Sequence, residues 1–304
     1  MKKYKFILTA AALFSLVAIN SYGQGCSDAG FCTLASFKPN STDSIEVFNS
    51  QFKIGAFIGG ADHSISAYGS YLEYNTQLSP KFGLDAKLTT LAQNGNGIAV
   101  FGLSDIFVNA SYKAGEKTKL TLGAKIPLSD AGKTYNNLPL PMDYQASLGT
   151  FDLIFGIGYE IKKIQLAVAV QQPLAQNGNE FLPSSYPADS KLRTFQATNK
   201  FERGGDILLR ASYAASLSPK LRLTPSILPI YHYANDKYTD EFNVKREISG
   251  SRGLTLNGNV YLDYQINSRN MLQFNAGIPF VVRDSRPDGL TRSFVANLEY
   301  RIKF

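Results

Sequence analysis

The chain has 304 residues, 44% of them hydrophobic and 12% aromatic, but only 18% are charged, below the ~25% usual for soluble domains. Its 31 Lys and Arg stand against 24 Asp and Glu, and three of the lysines fall in the first five residues, which leaves a surplus of four. That surplus is too mild for a nucleic-acid partner, and none is expected.

The first stretch reads as an export signal. Lys2, Lys3 and Lys5 precede an apolar run from Phe6 to Ile19, and Ser21 and Gly23 place small residues before a cleavage point at Gln24. The run is too short and wrongly flanked for a membrane helix, and no later run approaches the ~20 apolar residues such a helix needs. Lipoprotein processing at Cys26 is the competing reading, but Gly23-Gln24-Gly25 lacks the apolar residue expected there. Residues 1–23 are therefore expected to be removed. The exported chain is then a soluble periplasmic protein, a secreted one, or a barrel.

Residues 24–49 show no sustained period and are read as a periplasmic N-terminal segment or a short plug in the mouth of a barrel. Cys26 and Cys32 lie close together in an oxidising compartment, which favours a small local disulfide loop. Metal binding is the alternative, but His63 and His232 are the chain's only histidines and lie far away in sequence. No metal and no cofactor is expected.

From Ser50 the pattern changes to repeated strands, the barrel region 50–304. They are expected at 52–58, 65–77, 82–91, 105–113, 119–128, 151–161, 164–173, 206–217, 221–233, 254–266, 271–282 and 293–304. In the last of these, Phe294, Ala296, Leu298, Tyr300, Ile302 and Phe304 share one face. Ser293, Asn297, Glu299, Arg301 and Lys303 share the other, with Val295 the apolar exception. Tight turns around Ser79, Glu116, Lys162, Ser218 and Ser268 alternate with connections that are mostly longer. An all-β sandwich predicts no such alternation. The pattern predicts a transmembrane antiparallel up-and-down β-barrel of about 12 strands in the outer membrane of a Gram-negative bacterium, with both termini periplasmic.

Opposite the apolar rails lie Asp85, Lys87, Asn109, Lys125, Glu160, Arg210, Asn257, Asn259, Asp263, Glu299 and Arg301, expected to point into the lumen. Both signs of charge are present. One reading is that they pair across the lumen and only satisfy one another; the other is a narrow polar passage. Asp62-His63-Ser64 looks like a relay but is not one, since neighbours in extended chain point to opposite sides. His63 and His232 are read as plain residues of the outer rim. No nucleophile elbow, phosphate loop or metal-ligand cluster is present, so no catalytic residue and no enzyme is expected. Pro139, Pro141, Phe181, Pro183, Tyr186 and Pro187 make two loops apolar enough to fold over a mouth.

The terminal Leu298, Tyr300, Ile302 and Phe304 resemble the C-terminal insertion signal of bacterial outer-membrane barrels. Deleting Phe304 is expected to impair membrane assembly; a variant that still gives a normal heat-modifiable barrel in the outer membrane refutes this.

A wider resemblance rests on Asp105-Ile106 opening a strand, Leu122-Gly123-Ala124-Lys125-Ile126-Pro127 running into Asp130, and Leu148-Gly149-Thr150-Phe151-Asp152-Leu153. Gly204-Gly205-Asp206 and the Leu217-Ser218-Pro219-Lys220 turn complete it. From about Leu78 to Phe304 the order of these pieces resembles the outer-membrane family named for a MetA pathway of phenol degradation, relatives of the FadL-like hydrophobic-compound channels. The family's Gly-Thr-Gly run is here reduced to Gly149-Thr150 before Phe151. The resemblance implies uptake of small hydrophobic or aromatic molecules and carries over no site residue.

The expected function is passive passage of small, hydrophobic or aromatic solutes. The alternatives are a structural or adhesive barrel with a closed lumen and ligand-binding external loops, and, third, an outer-membrane hydrolase. The expected partners are membrane lipid and lipopolysaccharide, the outer-membrane barrel assembly machinery and a small-molecule solute, around a monomer.

Overall fold

Period-two segments with one apolar face must pair edge to edge, and here they do so until the last strand meets the first. The computed structural model describes Leu34 and residues 37–39, 49–289 and 293–304. Residues 1–23 and the Cys26–Cys32 pair lie outside the described residues.

Twelve strands form the wall: β1 (Ser50–Gly60), β2 (Ser66–Gln77), β3 (Phe82–Gly95), β4 (Ile98–Lys113), β5 (Thr118–Pro127) and β6 (Phe151–Ile161). They continue with β7 (Ile164–Ala175), β8 (Asp206–Tyr213), β9 (Leu221–His232), β10 (Gly253–Gln265), β11 (Asn270–Val281) and β12 (Phe294–Lys303). Every neighbour in sequence is an antiparallel neighbour in space, and β12 closes on β1 from Gln51↔Lys303 to Gly60↔Phe294. Beyond that ladder, the Ser50 amide donates to the Phe304 carbonyl at 3.1 Å and the Phe304 amide to the Ser50 carbonyl at 3.0 Å. Closure leaves no unpaired edge in the wall. A two-residue strand, Ala215–Ser216, prolongs the pairing with β9 past a break after Tyr213.

The outer face carries exposed Ile54, Leu72, Leu122, Phe155, Leu209 and Leu298, and the polar residues between them turn inward. In the closing strand Leu298, Ile302 and Phe304 are exposed outward, with Tyr300 half-buried on the same side.

The wall departs from the expected strands mainly at β3 and β4. They run to Gly95 and from Ile98, where the sequence predicts ends at 91 and 105. The register shifts between Leu88 and Thr90, and the neighbours Ser104 and Asp105 are both buried. A bulge puts two consecutive residues on one side, so a period-two reading breaks there. Beyond the bulge, Ile98 and Val100 pack against the loops, and the alternation of polar and apolar residues is lost.

One end of the barrel has only tight turns and holds Ser50 and Phe304. At the other end, the 61–65 and 96–97 connections are also short, and the described residues of the four long connections fold into a cap. Leu140, Tyr144, Phe181, Tyr186, Leu192 and Phe195 form one buried cluster of the cap with Ile65 and Ile98. Ala131, Met142, Leu148, Phe201 and Ile248 form a second. Buried Asn179 ties them, donating to the carbonyls of Ala131 and Leu140 at 2.9 Å each and accepting from Thr198 Oγ1 at 2.7 Å.

Candidate functional site

The strand parity that turns apolar side chains outward places Asp85, Lys87, Asn109, Lys125, Arg210, Asn257, Asn259, Asp263, Glu299 and Arg301 inside the barrel, all buried. Glu160, nearer the tight-turn end, is half-buried. Lys53, Glu73, Asp105, Asp152, Gln171 and Asp206 share this interior and were missed by the sequence reading, although they alternate with apolar neighbours in the same way.

Two polar layers result. Toward the tight-turn end, Lys53 Nζ lies 2.6 Å from Glu73 Oε1. Glu299 accepts from Lys38 Nζ at 2.9 Å, from the Tyr71 hydroxyl at 2.5 Å and from Arg301 Nε. Lys87 Nζ sits 4.2 Å from the centre of the Tyr71 ring. That ring lies over Gly55, where a side chain would collide with it. Toward the cap, Lys125 Nζ reaches Asp152 at 3.2 Å and Thr150 Oγ1 at 2.7 Å, while Asp105 accepts from Ser147 at 2.7 Å. Back at the tight-turn end, Asn109 donates to Asp85 at 2.9 Å and Gln273 to Asp263 at 2.5 Å. Many of the inward charges therefore have interior partners of their own, as buried ions require.

Between these layers the lumen is not polar all round. Phe107, Ile154, Ala167, Ala169, Leu208, Leu228 and Ile230 form an apolar strip along β4 and β6–β9, and Leu34 and Phe37 of the N-terminal segment pack on it. The Phe37 ring fills the space over Gly156, where a Cβ would overlap it. The amides of Phe37 and Lys38 both donate to the Leu34 carbonyl at 3.0 Å, a turn that projects Lys38 toward Glu299. Arg210 donates to the Phe37 carbonyl. Leu34 and residues 37–39 thus lie in the lumen, held by an apolar contact and two cationic ones. Beside the strip, the side-chain amides of Asn257 and Asn259 have no hydrogen-bond partner among the described residues.

Beneath the cap lies a compact ionic cluster. Arg203 Nη2 reaches Asp206 at 2.7 Å and Asp288 at 3.4 Å; Arg283 Nη2 reaches Asp288 at 2.8 Å. His232 lies 2.8 Å from Asp206 through Nδ1 and 2.8 Å from Asp236 through Nε2. It is 1% exposed, so the expectation of a plain rim residue is corrected: its ring ties β8, β9 and a cap loop together. Burial works to lower the Arg203 pKa, but Asp206, Asp288 and Asp236 raise it above its ordinary value. Burial pushes the Asp288 carboxyl up, yet Arg283 and Arg203 hold it below its ordinary range. In the cap, burial raises Asp143 to about 7, with Asp62 and Asp288 adding to the rise and Arg286 opposing it. His63 stacks on Phe195 at 4.0 Å in the connection between β1 and β2, apart from the ionic cluster. No group of side chains suited to a metal ion occurs among the described residues.

A closed antiparallel barrel of twelve strands, apolar outside and polar within, is the architecture of an outer-membrane β-barrel. The chain is similar in structure to an outer-membrane channel from Pseudomonas putida F1, with 13% identity and a TM-score of 0.62 over 88% of this chain and 99% of that one. It is also similar to the KdgM porin, at 8% identity and a TM-score of 0.45 over 84% of this chain and 99% of that one. For the CymD monoaromatic hydrocarbon channel the figures are 9% and 0.45, over 94% of this chain and 99% of that one. No protein-family model and no curated sequence matches the chain. What this likeness shows is the barrel fold.

Proposed function

We propose that the protein is an outer-membrane channel for passive passage of small apolar or aromatic solutes, with the segment around Leu34–Pro39 as a displaceable plug. The observation behind this reading is the apolar strip within the lumen. A barrel filled only for stability can pair polar side chains across its interior, as both layers here do. An apolar strip beside them offers a desolvated surface to an apolar solute, and Leu34 and Phe37 cover it.

Conductance of the full chain in planar bilayers tests this. The wild-type protein is expected to show small, intermittent currents. Gly156→Ala, which puts a methyl group where the Phe37 ring lies, is expected to raise the open fraction several-fold, and deletion of residues 24–49 to raise it further. Silence in all three, from protein shown to be folded, defeats the channel reading. It would favour the second one, a closed barrel whose loops do the work. The two buried clusters of the cap support that alternative, since they make the long-loop end a folded surface.

A further inference from the structure

Lys113 and Lys119 stand directly opposite each other across the β4–β5 ladder. Both line the interior near the tight-turn end. Like charges paired in this way repel, and the fold places them there without an acidic residue between them in the ladder. Asp85 and Glu160 attract Lys119, but Lys53 and Lys113 oppose them.

The two lysines border a cavity of about 310 Å³. Its apolar side is made by Phe37, Pro39 and Ala167, and Gly158 adds no side chain. Its basic residues are Lys38, Lys113, Lys117, Lys119 and Arg210, against the acidic Glu116 and Glu160. Lys38 is committed to Glu299 at 2.9 Å and Arg210 to the Phe37 carbonyl, and Lys113, Lys117 and Lys119 still outnumber Glu116 and Glu160. The volume is at the lower end of the ~300–1,000 Å³ typical of small-molecule pockets.

We propose that this cavity binds a small organic carboxylate with an apolar body, an aromatic acid being the simplest member of the class. The carboxylate lies between Lys113 and Lys119, where a negative charge relieves their repulsion, and the ring lies against Phe37 and Pro39. This goes beyond the proposed passage, because an equilibrium at one mouth needs no flow. A silent bilayer leaves it standing, and a conducting one does not establish it.

The test is calorimetric titration of the folded full chain, in a non-ionic detergent, with benzoate, benzyl alcohol and inorganic phosphate. Benzoate is expected to bind saturably and about ten-fold more tightly than benzyl alcohol, because only the acid makes charge-assisted hydrogen bonds. The double variant Lys113→Gln/Lys119→Gln is expected to lose about ten-fold in benzoate affinity, each single variant about three-fold. Lys220→Gln, on an exposed turn, is expected to change nothing. Without ligand, Lys113→Gln is expected to unfold no earlier than wild type, since it removes a repulsion. Equal affinity for the acid and the alcohol overturns the proposal, as does undiminished binding by the lysine variants. Phosphate binding as tight as benzoate would mark an adventitious ion only, and also overturns it. If the double variant does not fold, the single variants decide.

Discussion

Glu299→Ala is expected to cost about 3–5 kcal/mol of stability, the range for removing one partner of a buried ion pair, and to release the N-terminal segment from the lumen. The Glu299 side chain is fully buried, and so, nearly, are its partners Lys38 and Arg301. Truncation leaves two cations in the barrel interior facing a methyl group, and it removes the acceptor of the Tyr71 hydroxyl. Glu299→Gln keeps an oxygen for Tyr71 and loses only the charge, so its loss is expected to be smaller. Lys38→Met added to Glu299→Ala is expected to recover part of the loss, since one of the two stranded cations is then gone. The exposed Lys245–Glu202 bridge is the contrast: its side chains are 57% and 35% exposed, and Glu202→Ala is expected to cost no more than ~1 kcal/mol. Urea unfolding in detergent reads the stability, and limited proteolysis near Lys38 reads the segment. A Glu299→Ala protein with wild-type midpoint and wild-type protection would refute the anchoring role of this carboxylate.

The carboxylate that carries this effect was legible as an inward residue; its importance was not. Alternation along 294–304 places Glu299 opposite an apolar rail, and the same reasoning finds Asp85, Lys87 and Lys125. Parity says which side a residue faces but nothing about which strand supplies its partner, and Lys38 comes from a stretch with no period at all. The apolar strip was missed for a related reason. Ile154, Leu208 and Leu228 face inward between outward apolar neighbours, so each lies in a continuous apolar run. Treating the inward face as polar by rule hid the one signal available, the local loss of alternation in Phe151–Ile157 and Leu228–Ile230. His232 was misread because nothing in its neighbourhood reveals Asp206, which the chain brings back from the previous strand. The fold itself was far more readable, because each strand announces its own two faces locally and closure follows from the count.

Arg203→Ala is expected to open the cap while leaving the barrel closed. Arg203, Arg283 and His232 meet Asp206, Asp236 and Asp288 beneath the loops, and a carboxylate oxygen faces each ring nitrogen of His232, an arrangement that a doubly protonated ring satisfies. Without Arg203, Arg283 and His232 are left to serve three buried carboxylates, and the loss expected for the cap is about 3–5 kcal/mol. Arg203→Lys is expected to fall between, because a single ammonium point cannot serve Asp206 and Asp288 as a forked guanidinium does. Asp288→Asn added to Arg203→Ala removes the surplus charge and is expected to restore part of the protection. The pH dependence has a definite sign. Asp288 is held below its ordinary 3.8, so it stabilises the fold above that pH, and the contribution fades as pH falls through its lower folded value. Losing Arg203 raises that folded value, so the variant cap is expected to loosen at a higher pH than the wild-type cap on acidification. Hydrogen exchange of residues 128–150 and 176–205 reports the cap, and heat-modifiable mobility reports the barrel. Unchanged exchange in Arg203→Ala refutes the clasp, and loss of the heat-modifiable form shows that the cluster holds the wall rather than the cap. Local opening without loss of the barrel is the result expected where strand pairing closes the wall and this cluster, with the apolar packing of the loops, fastens the cap to it.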